Sequence, residues 1–251
     1  MPSNVSRPPL PLPSPPMLLP PPGFFQETAR IGVRLNEHQT AQLGDYLARL
    51  LAMNEQMNLT SITAPYEAWS RHILDALTLI PHLAPLPPEA CVLDVGSGGG
   101  VPGIPMAIAR PDLRVTLLEA TQKKAFFLSA VVKALGLCQV TVENGRAEQL
   151  AATPLRGRFD AVTARAVARM NVLLSWTVPF ARPGGLLLFI KGQRAEEELR
   201  EARKTLDRLR CTHERTEQTS TGRVVVLRVG GVSEPNFRGR KALKCSHRSK
   251  P

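Results

Sequence analysis

The stretch CVLDVGSGGGVPG, residues 91–103, opens on five residues of strand character and runs into glycines at 96, 98, 99, 100 and 103. A short apolar run that stops at glycine reads as a buried strand followed by a tight loop. Glycine admits positive φ and lets the backbone approach a ligand without a Cβ in the way. In an open α/β sheet, ligands sit at the carboxyl ends of the strands, where this loop falls.

Working outward, the pattern recurs downstream. Residues 115–119, 139–143, 159–164, 186–191 and 223–229 read as strands. Between them, helices are expected from Thr121 to Gly136, with Phe126, Phe127, Val131 and Leu135 toward the sheet, then over about 168–179 and about 194–209, with RPGG (182–185) as a turn. Alternating short strands and helices predict a three-layer α/β domain. Upstream, Asn36 and Gln39 have capping-box spacing for a helix reaching Met57, with Leu43, Leu47 and Leu50 on one side. Pro65 is suited to open a second helix that buries Trp69, Ile73, Leu74 and Leu77. These two helices form a cap ahead of the first strand. The expected organisation is a disordered Pro-rich extension over 1–30, a helical cap over 31–88, a core over 89–230 and a basic tail over 231–251.

Composition narrows the setting. Ten of the first 22 residues are proline, which excludes the helical centre of a signal peptide. Four widely spaced cysteines without a CxxC pair argue against a disulfide scaffold and a cysteine zinc site, so no metal is expected and a reducing cytoplasm is the simpler location. No apolar run reaches the roughly 18 to 20 residues of a membrane span, so no membrane partner is expected. Net charge is +11, and six cations among the last 14 residues favour a polyanion, with nucleic acid ahead of a merely solubilising tail.

Gly98, Gly100 and Gly103 satisfy GxGxxG, which alone would suggest a dinucleotide. Asp94 lies two residues ahead of Gly96, however, and a carboxylate facing the pocket suits the amino group and sulfonium of S-adenosylmethionine better than a pyrophosphate. Glu119, ending the second strand, is placed to accept both ribose hydroxyl protons, a requirement that both cofactors share. Residues 144–148, including Ala147 and Glu148, follow the third strand and are placed to edge an adenine pocket. Arg165 follows the fourth strand, at the edge where a polyanionic substrate would lie. An Asn-Pro-Pro or Asp-Pro-Pro stretch that would hold an amine is missing after that strand, and no cysteine follows it for attack on a pyrimidine. Guanine N7 needs neither, because it already presents a lone pair.

The segments NEQMNLT (54–60), SRHILDAL (70–77), DVGSGGGVPGIP (94–105), LLEATQKKAFFL (117–128), NGRAEQL (144–150), FDAVTARAV (159–167) and LLFIKGQ (187–193) together resemble the bacterial small-subunit ribosomal RNA guanine-N7 methyltransferase family. The resemblance covers about Leu35 to Val229. It implies a class I, Rossmann-like, S-adenosylmethionine-dependent methyltransferase with an N-terminal helical cap, acting on position 527 in the 530 loop of 16S ribosomal RNA. It further implies Gly96, Ser97 and Gly98 around the donor, Glu119 at the ribose, and Ala147 and Glu148 at the adenine. Arg165 falls where a family arginine faces donor and target. Asn58, Arg71, His72 and Asp75 match the cap signature toward the RNA, and Lys191 and Gly192 match the end of the fifth strand. Read as residues of one helix, Arg71 and Asp75 have the spacing of an ion pair. Both tails depart from the family pattern. The expected partner is 16S ribosomal RNA or the small ribosomal subunit, bound by a monomer. The rival readings are an NAD-dependent oxidoreductase, which would lack a Tyr-x-x-x-Lys pair for hydride chemistry, and a non-catalytic RNA-binding module.

Overall fold

A computed structural model describes residues 11–231. Its centre is one seven-stranded sheet: β1 Cys91–Val95, β2 Arg114–Glu119, β3 Val140–Asn144, β4 Phe159–Arg165, β5 Ala181–Lys191, β6 Cys211–Gln218 and β7 Arg223–Val229. The order is β3-β2-β1-β4-β5-β7-β6. Strands β1 to β5 pair in parallel, and β7 runs antiparallel to both β5 and β6. The order reverses between β1 and β4, so both carboxyl ends open onto one crevice, where the glycine loop begins.

Helices cover both faces. They are α1 Phe24–Arg30, α2 Glu37–Met57, α3 Pro65–Ala68, α4 Asp75–Leu77, α5 Ile80–Leu83, α6 Gly103–Ala109, α7 Gln122–Ala134, α8 Ala147–Leu150, α9 Met170–Thr177, α10 Ala195–Glu201 and α11 Arg203–Arg208. The capping box forms as its spacing predicts: Gln39 N donates to Asn36 Oδ1 at 2.8 Å and Asn36 N donates to Gln39 Oε1 at 3.0 Å. Leu43, Leu47 and Leu50 of α2 share one buried cluster with Trp69, Ile73 and Leu77, with Ile104 of α6, and with Val92 and Val115 of the sheet. The cap is therefore a layer of the same core. The second cluster, under α9 to α11, covers the opposite face.

Several expectations change. Strand β6 was not foreseen, because CTHERTEQ carries almost no apolar residue; it is an edge strand with a mostly exposed surface, held by the β7 ladder. RPGG lies inside β5 rather than forming a separate turn. The helix expected over 194–209 divides at Ala202. On α7, Phe127 is buried but Phe126 is exposed. Residues 11–30 of the expected disordered extension are not free of the fold. Leu18 N donates to Gly44 O at 3.3 Å, Arg49 Nη1 donates to Pro13 O at 3.0 Å, and Phe24 packs edge-on against Trp69 with ring centres 4.8 Å apart. Proline denies residues 11–22 a helix, but it leaves Leu12 and Leu18 available to cover α2, and Phe24, which opens α1, to cover Trp69. Gly44 permits the approach, since a Cβ there would stand 2.3 Å from the Leu18 carbonyl oxygen. Residues 1–10 and 232–251, including nearly all of the basic tail, lie outside the described residues.

Candidate active site

Gly96, Gly98 and Gly100 have φ of 72°, 56° and 102°, a sequence of left-handed positions that glycine adopts freely. At Gly96 a Cβ would stand 2.8 Å from Val167 Cγ2, so the loops after β1 and β4 approach each other closely there. The loop's floor is the flank of α2. Tyr46, fully buried, donates its hydroxyl to the Gly99 carbonyl at 2.9 Å, and a Cβ on Gly99 would meet Leu50 Cδ1 at 2.7 Å. Burial pushes the Tyr46 hydroxyl far above its usual range, which keeps it a proton donor.

Asp94 lies under the loop instead of facing an open pocket. It is 0% exposed; Oδ2 accepts from Gly103 N at 3.2 Å and Oδ1 accepts from Thr163 Oγ1 at 3.0 Å. The expected negative wall is thus corrected to an internal strut: its register partner on β4 is Thr163, whose hydroxyl claims one oxygen, while the amide of Gly103 claims the other. Burial raises its pKa to about 6, although hydrogen bonds from Ser97, Thr163 and Gly103 pull it down. Ser97 is also turned inward, with Oγ donating to Asp94 O at 2.9 Å. Gly103 is buried against Leu117 and Asp94.

Glu119 is 7% exposed at the end of β2. Its Oε2 accepts from Gly98 N at 2.9 Å and its Oε1 from Thr121 N at 2.7 Å. Each oxygen has a second lone pair, so the carboxylate fixes the loop and still has capacity for hydroxyl donors. Asn144 Nδ2 donates to Glu119 O at 2.8 Å, which draws the ends of β2 and β3 together. Buried Ala147 then opens α8, with Glu148 exposed beside it.

Arg165 joins the sheet edge to the cap. Its Nη1 donates to Asp75 Oδ2 at 2.9 Å and to the carbonyl of Arg71, and its Nη2 donates to His72 Nδ1 at 2.9 Å. The helix is locally π-wound over Trp69–Leu74, and the Asp75 amide donates five residues back to Ser70 O. The Arg71 carbonyl is thereby available to the guanidinium, a shift that apolar periodicity does not announce. Asp75 therefore pairs with Arg165 and not with Arg71, which is exposed. The other Asp75 oxygen accepts from Thr221 Oγ1.

Because Arg165 donates to Nδ1, the His72 proton sits on Nε2, which donates to Thr60 Oγ1 at 2.9 Å. Burial, then the Arg165 charge, lowers the His72 pKa to about 4. Its folded-state pKa lies below the unfolded value of 6.5, so its stabilising contribution is complete above 6.5 and is lost as pH falls toward 4. Asp94, raised from 3.8 to about 6, acts with the opposite sign between those values. Urea titrations should show that His72→Gln weakens the loss of stability between pH 6.5 and 4; an unchanged pH slope would refute the assignment.

Lys191 is less available than expected. Its ammonium pairs with Glu198 at 2.6 Å and donates to Ala168 O at 2.8 Å. Asn58 is the exposed C-cap of α2 with φ 50°. Tyr46, Thr60, Thr163 and Thr221 were missed as site residues, because each gains its role only through a tertiary contact.

A 3-2-1-4-5-7-6 sheet with a glycine loop after β1 and a carboxylate ending β2 defines the class I, Rossmann-like fold of S-adenosylmethionine-dependent methyltransferases. The fold superposes on cofactor-bound Rv0187 from MTB with a TM-score of 0.55 at 21% identity, covering 74% of this chain and 90% of that one. The model of the GidB family, rRNA small subunit methyltransferase G, matches residues 39–226, and the chain belongs to that family. The Ribosomal RNA small subunit methyltransferase G of Sorangium cellulosum (strain So ce56) is 58% identical over 234 residues, spanning 93% of this chain and 98% of the relative. That of Leuconostoc mesenteroides subsp. mesenteroides is 39% identical over 185 residues, spanning 73% and 77%.

Proposed function

We propose that this chain transfers a methyl group from S-adenosylmethionine to N7 of the guanine at position 527, in the 530 loop of 16S ribosomal RNA, acting in the cytoplasm as a monomer. The observation that carries the reading is Arg165, a guanidinium held beside the glycine loop at the carboxyl edge of the sheet in a member of a ribosomal RNA methyltransferase family. Among the described residues no helix is long and apolar enough to cross a membrane.

The residues fit the donor. The side-chain-free surface of Gly96 and Gly98 would receive its methionine portion, with backbone carbonyls as partners, since the amides of Gly96 and Gly98 already donate to Leu118 O and Glu119. Glu119 would accept from the ribose hydroxyls, and Ala147 and Glu148 would border the adenine. Asp94 acts from below, by fixing Gly103 and Thr163 and so the shape of the loop. S-adenosylmethionine supplies an electrophilic methyl on a sulfonium.

Guanine N7 offers a lone pair, so no side chain has to remove a proton in the transfer. What remains is alignment and exclusion of water. Arg165 contacts the target nucleotide, and Asp75 offsets its charge, so the purine that becomes cationic does not face an uncompensated cation. Arg71 and Asn58, exposed on the same cap, contact the RNA with His72 and Asp75 supporting them from within. Lys191 acts through the Ala168 carbonyl, by holding the loop that follows β4.

The deciding experiment maps the methylated nucleotide after incubation with undermethylated small-subunit RNA, naked or in the 30S particle. Modification at N7 of guanine 527 is expected. Modification of another nucleotide or atom would overturn the assignment, and RNA binding without transfer would favour a non-catalytic module.

A further inference from the structure

We propose that Thr221, in the turn between β6 and β7, is a positioning residue for methyl transfer, acting through Asp75 to hold the Arg165 guanidinium toward the target. This rests on the reading of Arg165 given above. Strand β7 is antiparallel to β5, and its first residue, Arg223, stands opposite Lys191, the last residue of β5. The turn that precedes β7 therefore comes to the carboxyl edge of the sheet, the edge that carries the glycine loop and Arg165.

The turn is seated there by its own backbone. A Cβ on Gly222 would stand 2.4 Å from the Lys191 carbonyl oxygen, so glycine lets the turn close down on the end of β5. Within the turn, Thr219 Oγ1 accepts from Gly222 N at 2.9 Å, and Thr219 N donates to Gly222 O at 3.0 Å. The Thr221 hydroxyl then projects to the cap and donates to Asp75 Oδ1, while Asp75 Oδ2 accepts from Arg165 Nη1 at 2.9 Å.

Asp75 is 6% exposed, so water does not readily replace either donor. The remaining anchors of Arg165, His72 Nδ1 and the Arg71 carbonyl, both belong to the cap. Thr221 alone among these donors ties the Asp75 carboxylate to the antiparallel end of the sheet. Without its hydroxyl the carboxylate keeps its charge and its arginine, but it is free to rotate, and the planar fork of Arg165 rotates with it.

The test uses the full chain with undermethylated small-subunit RNA, reading kcat, KM for RNA and the donor Kd separately. Thr221→Val should lower kcat by about tenfold, with the donor Kd changed by less than about twofold, and Thr221→Ser should restore kcat. In an Arg165→Lys background, which lacks the fork, Thr221→Val should cost less than about twofold more. The proposal is overturned by an unchanged kcat in Thr221→Val, by failure of serine to rescue, by a parallel loss of donor affinity, or by full additivity with Arg165→Lys. If Arg165→Lys itself keeps the parent kcat, the reading of Arg165 fails. A slow Arg165→Lys beside an unaffected Thr221→Val removes only the role of Thr221.

Discussion

Arg165→Ala is expected to reduce methyl transfer by about a hundredfold or more while the donor still binds, and to lower the stability of the fold by about 3 kcal/mol. The stability effect follows from what the substitution leaves behind. Asp75 and Arg165 form a pair whose side chains are 8% and 19% exposed, so removal of the guanidinium strands a buried carboxylate with Thr221 as its remaining partner. His72 Nδ1 and the Arg71 carbonyl lose the same donor. Catalysis suffers separately, because the group proposed to face the target is gone, whereas Glu119 and the glycine loop are untouched. Chemical denaturation gives the first quantity; single-turnover transfer and donor titration give the second. An Arg165→Ala protein that methylates at the parent rate would refute the placement of Arg165 at the reacting centre.

Gly103→Ala should damage donor binding through packing alone. A Cβ at this position would stand 2.2 Å from Leu117 Cδ2, 2.9 Å from Asp94 Oδ2 and 3.1 Å from Asp94 Cβ. Leu117 and Asp94 are both 0% exposed, on β2 and β1, so neither has open space to move into. The start of α6 has to lift, stretching the bond from Gly103 N to Asp94 and disturbing the loop ahead of it. Overpacking of this kind costs roughly 1 to 3 kcal/mol, and for a chain of this size that is a fall of about 2 to 12 °C in Tm. Donor affinity should fall more than about tenfold, since loop shape is what the donor meets. Gly192→Ala is the control: nothing lies within 4 Å of a Cβ there, and its stability should match the parent. Unchanged donor affinity in Gly103→Ala would show that the loop does not depend on this seat.

The strands that build the crevice were legible because burial on both faces demands mainly apolar runs, as in the LLLFI of β5 and the VTLLE of β2. The capping box was legible because its partners are three residues apart. Elements specified by a neighbour were not. Strand β6 has the composition of a solvent-facing loop and becomes a strand by pairing with β7. The Pro-rich segment was judged by its backbone restriction, while its few large side chains decide where it rests. At the site, the residue types were readable and their orientations were not. Asp94 was identified, yet the β1–β4 register turns it inward to Thr163. Asp75 has the spacing of a pair with Arg71, but a π-turn and a residue ninety positions away redirect it.

The Tyr46 hydroxyl on Gly99 and the Leu50 methyl beneath the same residue give the donor loop a floor that belongs to α2. The cap consequently has no seam along which it could be exchanged as a module. Grafting the first helices of a distant relative onto this sheet would replace part of the cofactor's support together with the RNA-facing surface, and tolerated substitutions in the two halves should be correlated at Tyr46, Leu50 and Gly99.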